Sequence, residues 1–336
     1  MLDISTLEKY DSEQMFKIYD IWPEIAQKSF EEEHNPIDLA NIKHIVVAGM
    51  GGSGAIGDVF ASTLSKSKIH VNVVKGYLLP ETVDSNTLVM VVSVSGNTDE
   101  TLSVLKAAHS IRCKTIAFSS GGKVEEYCKS NGIEYRFVTK YHSPRASFTS
   151  YLYAILKVVY STLEIKKEDI LESVEEMKNT REKINSSNLS NENPAIKLAE
   201  NIQGIPVIYY PFGLQSAAIR FKNSLQENAK IHAMIENVVE TCHNGIVSWE
   251  KVANVQPILI QGTDDFIKTK ERWKIIKEYF EINKIKYYDV TSVSGNILSK
   301  IINLIYLLDY SSIYLSVLNE TDPSPVKSIK FVKSKL

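Results

Sequence analysis

Cysteine is scarce: three residues in 336, Cys113, Cys128 and Cys242, far apart in the chain. An odd, scattered set provides neither a disulfide framework nor a Cys-x-x-Cys metal knuckle, and it suits a reducing compartment. An excess of charge of one sign is also missing. Forty acidic and 38 basic residues leave a formal net charge of −2. No broad cationic field is therefore available for nucleic acid or an anionic membrane, and neither is expected as a partner. A phosphorylated ligand would have to be held by local donors. The longest apolar run near the C-terminus, 301–317, is broken by Asn303, Asp309 and three serines, so it reads as a buried helix and not a membrane span. The N-terminal MLDISTLEKYDSEQ is polar and acidic, unlike a signal peptide, and a cytoplasmic protein is expected. No His-Glu-x-x-His, His/Cys pair or acidic ladder marks a metal site.

What the chain does contain is room for two cores and a regular alternation of short β-branched runs with helical patterns. Strands are predicted at 44–48, 71–75, 87–92, 114–118 and 134–138, with helices over 55–65, 99–111 and 124–130 between them. The pattern turns helical over 146–184, and a polar stretch, 185–193, reads as a linker. Strands at 206–210, 256–261 and 286–291 then alternate with helices at 214–228, 266–283 and 296–319. Continuous apolar strands separated by helices indicate parallel sheets covered on both faces. The expected fold class is α/β, with two doubly wound domains. Their expected bounds are 1–150 and 191–336, joined by a helical connection and linker at 151–190.

Two segments carry chemistry. GMGGSG, residues 49–54, lies between a strand and a helix. Glycines there let backbone amides approach an anion, aided by the helix dipole. The same letters read as the dinucleotide fingerprint G-x-G-x-x-G, or as a merely tight turn. The dinucleotide reading wants an acidic residue about 20 positions on, where Lys75 and Gly76 stand. The second segment, SVSGNTDET from Ser93, again follows a strand and opens a helix. Ser93, Ser95 and Thr98 can converge with free helix-start amides on phosphate oxygens. Helix capping by Asn97 or Thr98 is the plainer alternative. Paired with Gly51, Gly52 and Ser53, the three hydroxyls form a two-sided phosphate cradle.

GMGGSG together with VSVSGNTDETL resembles the sugar isomerase (SIS) domain, a phosphosugar-binding module. LQENAK at 225–230, CHNGIVSW at 242–249 and DPSPV at 322–326 before a lysine-rich terminal helix are similar to the bifunctional phosphoglucose/phosphomannose isomerase family. That resemblance spans about 42–336 and implies two SIS domains. The chain departs from the family in two places. VVETC at 238–242 stands where a Pro-Glu precedes the His-Asn pair, and Gly245 stands where an acidic residue usually follows it.

The resemblance also implies a set of roles. Glu227 would be the base that moves a proton between C2 and C1 through a cis-enediol, a task suited to a partly desolvated carboxylate. Arg145 would stabilise the enediolate. His243 would open the sugar ring, acid–base work of the kind histidine commonly does, with Lys333 assisting. The route needs no cofactor or metal. The implied substrate is a hexose 6-phosphate, and the implied assembly is a homodimer whose histidine enters the neighbouring subunit's site. An isomerase of another phosphosugar and a non-catalytic sugar-phosphate sensor are the competing readings. A sensor would carry a DNA-binding helix-turn-helix domain, for which the 43 residues before the first strand are too short and too acidic.

Overall fold

The structure is a computed structural model that describes residues 2–37, 42–163 and 165–335. Its contacts divide the chain into two units, each discontinuous in sequence. One comprises Ile21–Met177 with Gly295–Ile301, and the other Met1–Asp20, Lys178–Ser294 and Ile302–Leu336.

The first of these units holds five strands: β1 (His44–Ala48), β2 (His70–Val74), β3 (Thr87–Ser93), β4 (Lys114–Ser119) and β5 (Glu134–Phe137). All are parallel, in the order β2-β1-β3-β4-β5. Every residue of β3 is buried, as expected of a central parallel strand covered on both faces. Val46, Val89 and Val91 from the sheet pack with Val104 and Leu105 of the helix Asp99–Ile111. Each such side chain contributes about 1.5–3 kcal/mol on burial. β1 pairs with both β2 and β3, placing Ala48 opposite Val74 and Val91. Strand order reverses at β1/β3, so the loops leaving these two strands diverge and open a crevice at their carboxyl ends. GMGGSG follows β1, and the serine-rich segment follows β3.

The helix Phe148–Val159 is buried on nearly all sides, which makes it a core element of this unit and not a surface connection. It packs against the helix Trp22–Glu31, an element the sequence pattern does not announce.

The other unit holds β6 (Ile205–Tyr210), β7 (Met234–Asn237), β8 (Val255–Gln261) and β9 (Tyr288–Thr291), all parallel in the order β7-β6-β8-β9. Tyr209, Leu259, Trp273 and Phe280 form its core. β7 is unexpected because MIEN offers no apolar run. The terminal helices Ile4–Tyr10 and Met15–Asp20 belong to this unit as well. Tyr306 donates a hydrogen bond to the Tyr19 carbonyl at 2.5 Å, and Tyr310 donates to the Asp20 carboxylate. These tyrosines lie on Ile297–Leu318, the one described helix long and apolar enough to cross a membrane. Eighty-nine per cent of its apolar window is buried inside the protein, as the reading of 301–317 as a buried helix expects.

Candidate active site

The helix after β1 begins at Gly51, four residues before the predicted start, because the glycines themselves form its first turn. The Ser53 and Gly54 amides bond back to the Met50 carbonyl at 3.0 and 3.2 Å. No side chain caps this terminus, so the Gly51 and Gly52 amides sit at a helix start, where an anion is favoured. Gly52 has a second constraint. A Cβ there would lie 2.9 Å from the Pro144 carbonyl oxygen and 3.2 Å from the Arg145 Cα. Glycine therefore allows the Arg145 turn to close onto the loop.

The loop after β3 is braced from several sides. Gly96 has φ +66° and packs so closely that a Cβ would overlap the Gly121 carbonyl oxygen. The Asn97 side chain donates to the Ser95 carbonyl at 3.0 Å and accepts from the Lys123 amide at 3.1 Å. It is a strut, not a helix cap. Thr98 is the N-cap residue of Asp99–Ile111 but makes no side-chain capping bond. Its hydroxyl instead accepts from Ser93 at 3.4 Å. The capping alternative thus gives way, and the Ser93 and Thr98 hydroxyls meet at the helix start. Ser95 is exposed, while Ser53 and Ser93 are buried. Ser53 Oγ accepts from the Val94 amide at 3.4 Å, joining the two loops. From beneath, the buried Tyr151 hydroxyl donates to the Val94 and Val138 carbonyls at 3.4 and 3.2 Å. Burial pushes this phenol well up, so it remains a donor.

Arg145 is only 5% exposed. It lies in a turn ahead of the helix Phe148–Val159 and not in the helix itself. The turn is fixed by Ser147, whose hydroxyl accepts from the Tyr141 amide at 2.9 Å and donates to the Tyr141 and Ser143 carbonyls. The Trp22 indole adds a bond to the Ala146 carbonyl at 2.8 Å.

Glu227, His243 and Lys333 stand on three separate elements of the other unit. After the Gly213 turn, the helix Gln215–Ser224 widens into a π-helical turn, Leu225–Ala229, that carries Glu227 half-buried. Such turns are rare and frequent at functional sites. Two anchors hold this one. Buried Arg220 meets fully buried Asp309 through two bonds of 3.0 and 2.7 Å, and Ser224 donates to the same carboxylate at 2.6 Å. Burial pulls the Arg220 guanidinium down, but Asp309, with help from Tyr19 and Glu227, more than offsets this and raises it. The second anchor is Asn228, which donates to Ser312 at 2.8 Å.

His243 is exposed, in a turn following the short helix Val238–Thr241 that β7 feeds. Asn237 caps that helix through the Val239 and Glu240 amides. Asn244 donates to Glu240 at 2.8 Å, and Thr241 to Glu236 at 2.6 Å. A Cβ on Gly245 would overlap the Glu236 carboxylate. An acid supplied by β7 therefore lies beside the position where the family carries one in sequence. Cys242 donates its thiol to the Val238 carbonyl, and burial pushes that thiol up. Burial does the same at Cys113 and raises Cys128 to about 11, so none of the three is a ready thiolate. Lys333 is exposed at the end of the helix Lys327–Lys333, with Lys330 one turn before it. No group of three or more His, Cys, Asp or Glu suited to a metal occurs among the described residues.

The struts Asn97, Tyr151 and Ser147 and the Arg220–Asp309 anchor are not legible as site residues in the sequence. Only Asn97 left a signal, as part of S-x-S-G-N-T.

Comparison with known proteins bears on the whole chain. Residues 38–160 match the SIS domain, and residues 191–336 match the bacterial phospho-glucose isomerase C-terminal SIS domain. The bifunctional phosphoglucose/phosphomannose isomerase of Caldicellulosiruptor bescii is 32% identical, over 94% of this chain and 96% of that one. The protein of the same name from Aquifex aeolicus is also 32% identical, over 91% and 94%. Among solved structures, the C-terminal domain of glucosamine-fructose-6-phosphate aminotransferase from Francisella tularensis superposes with a TM-score of 0.68. It covers 93% of this chain and 98% of that one at 17% identity, which speaks to the fold. With two SIS matches in order along the sequence and relatives matched nearly end to end, the chain belongs to the bifunctional phosphoglucose/phosphomannose isomerase family.

Proposed function

We propose that this isomerase interconverts glucose 6-phosphate, and mannose 6-phosphate, with fructose 6-phosphate through a cis-enediol and without a metal. The observation that carries the reading is the pair of helix starts at the β1/β3 crevice. Neither is capped by its own side chains, both are joined through Ser53 and Val94, and Arg145 is packed onto Gly52. Backbone amides of Gly51 and Gly52 with the hydroxyls of Ser53, Ser93, Ser95 and Thr98 suit a phosphate dianion.

In this mechanism His243 shuttles the proton of the C1 hydroxyl to the ring oxygen as the C1–O5 bond breaks, and Lys333 assists. Glu227 then takes the C2 proton, and the C2–H electron pair forms the C1=C2 bond of the enediol. Arg145 balances the negative charge that develops on oxygen. Returning that proton to C1, while the proton of the C2 hydroxyl passes to the C1 oxygen, leaves the ketose. The reaction is redox-neutral overall and takes nothing from a cofactor.

We further infer a cytoplasmic homodimer whose sites each use His243 of the neighbouring copy. The support is topological. Glu227 precedes β7 at the end of an antiparallel crossover helix, whereas His243 follows β7. The two therefore lie toward opposite ends of a strand about 13 Å long.

A coupled assay with glucose, mannose, fructose and glucosamine 6-phosphates tests the substrate reading. Turnover of glucose 6-phosphate is expected, and turnover of the amino sugar alone would overturn it. Mixing Glu227→Gln with His243→Ala chains tests the shared site. Random hybrids would restore up to roughly a quarter of wild-type activity, and no recovery would place both groups in one chain.

A further inference from the structure

The π-helical turn that carries Glu227 ends on Lys230, a non-glycine residue with φ +58°, in the left-handed region where glycine is the usual occupant. Its backbone amide closes the turn by bonding to the Leu225 carbonyl. Its side chain folds back over the same turn. Nζ donates to the main-chain carbonyl of Glu227 and, at 3.1 Å, to the carbonyl of Pro323. Carbonyls in the last turn of a helix lack internal partners, and an ammonium satisfies them with charge-assisted bonds.

The second acceptor is itself held in place. Pro323 sits in the DPSP segment, where Ser12 donates to Asp322 at 2.5 Å and Ser324 donates to the buried Asp11 at 3.3 Å. Within the same turn, Asn228 is tied to Ser312. Two clamps thus hold the segment that follows Glu227, and Lys230 grips the Glu227 backbone itself.

We propose that Lys230 is a positioning residue for Glu227, its ammonium locking the π-turn to the Pro323 carbonyl so that the carboxylate keeps its aim. This rests on the reading of Glu227 as the base. The left-handed backbone costs a lysine conformational energy, which a glycine would not incur. Lys230 is also exposed, so loss of its amine costs little stability. Placement of the carboxylate is what the amine supplies, and an error of an ångström in such a group lowers rate by about a hundredfold.

Lys230→Gly separates these roles, because it relieves the backbone and removes the amine. The expected result is a melting temperature at or above wild type and a kcat lowered about ten- to a hundredfold. KM for fructose 6-phosphate should stay within about twofold. Exchange of the fructose 6-phosphate C1 proton with deuterated solvent should fall by the same factor as kcat. Lys230→Arg, which keeps donors at that place, should recover most of the loss. A kcat within twofold of wild type in Lys230→Gly overturns the proposal, as does a loss that appears only with a lowered melting temperature. Glu227→Gln is measured alongside. If it abolishes exchange while Lys230→Gly keeps it, this proposal alone fails. If it keeps exchange, the assignment of the base fails and the proposal with it.

Discussion

In the unit that contains β1 and β3, the groups proposed to hold the phosphate are main-chain amides and short hydroxyls on loops leaving adjacent strands. In the other unit, the proposed base Glu227 is a longer side chain on a turn secured from far along the chain. Arg220 and Asp309 are 89 residues apart, and Asn228 and Ser312 are 84 apart. The first kind of site depends on local backbone shape, which leaves glycines and serines as a trace in the sequence. The second depends on distant packing. Its Glu227 and His243 stand in local motifs, LQENAK and CHNGIVSW, but the partners that secure the turn, Arg220, Asp309 and Ser312, leave no local trace.

The largest expected effect is on the side-chain half. Glu227→Gln keeps the shape of the π-turn but removes the base, and kcat should fall by roughly 10²–10⁴ or more. KM should change little, since the phosphate loops are untouched. A change confined to KM would erase the distinction between the two regions.

Next comes the anchor of the π-turn. Asp309→Ala takes the carboxylate away from the buried Arg220 guanidinium, at a cost of about 3–5 kcal/mol in unfolding free energy. Arg220→Met with Asp309→Leu removes both charges and should cost far less. Equal losses in the single and double variants, by urea denaturation, would mean that the ion pair is not what secures the helix.

A smaller effect is expected in the backbone-built half. Ser53→Ala or Ser95→Ala removes one charge-assisted bond of about 1.5–3 kcal/mol, so KM should rise about tenfold or more with kcat largely kept. Ser53→Ala also strands the Val94 amide and should lower the melting temperature, whereas the exposed Ser95 should not. An unchanged KM in both would move the phosphate elsewhere.

The smallest effect concerns pH. Burial raises the Asp11 carboxyl above its usual value of 3.8, against the pull of the Phe16 and Met15 amides. Below 3.8 it is protonated in both folded and unfolded states. As pH rises through the raised folded value, ionisation opposes burial and Asp11's share of stability declines. Asp11→Asn should flatten that part of the stability profile, measured by urea unfolding across the acid range. An unchanged slope would assign it to another group.

The same contrast explains what the sequence disclosed. The strands of both sheets were legible except β7, whose MIEN alternates no apolar residues. The helix after β1 started early because glycines, read as loop, served as its first turn. Arg145 is singled out by the resemblance, but its place in a turn depends on Trp22 and Ser147. Glu227 was recognisable only by its LQENAK context. Its π-turn has no periodic signature, since five residues are too few to display a period.

If Glu227 carries a proton between C2 and C1 through an enediol, that proton can exchange with solvent, and isotope exchange reads the step itself. In deuterated water, with chelator present throughout, the wild-type protein should convert fructose 6-phosphate while deuterium enters C1, and Glu227→Gln should lose both together. Full conversion by the wild type with no deuterium entering the sugar, or wild-type exchange in Glu227→Gln, would contradict the account.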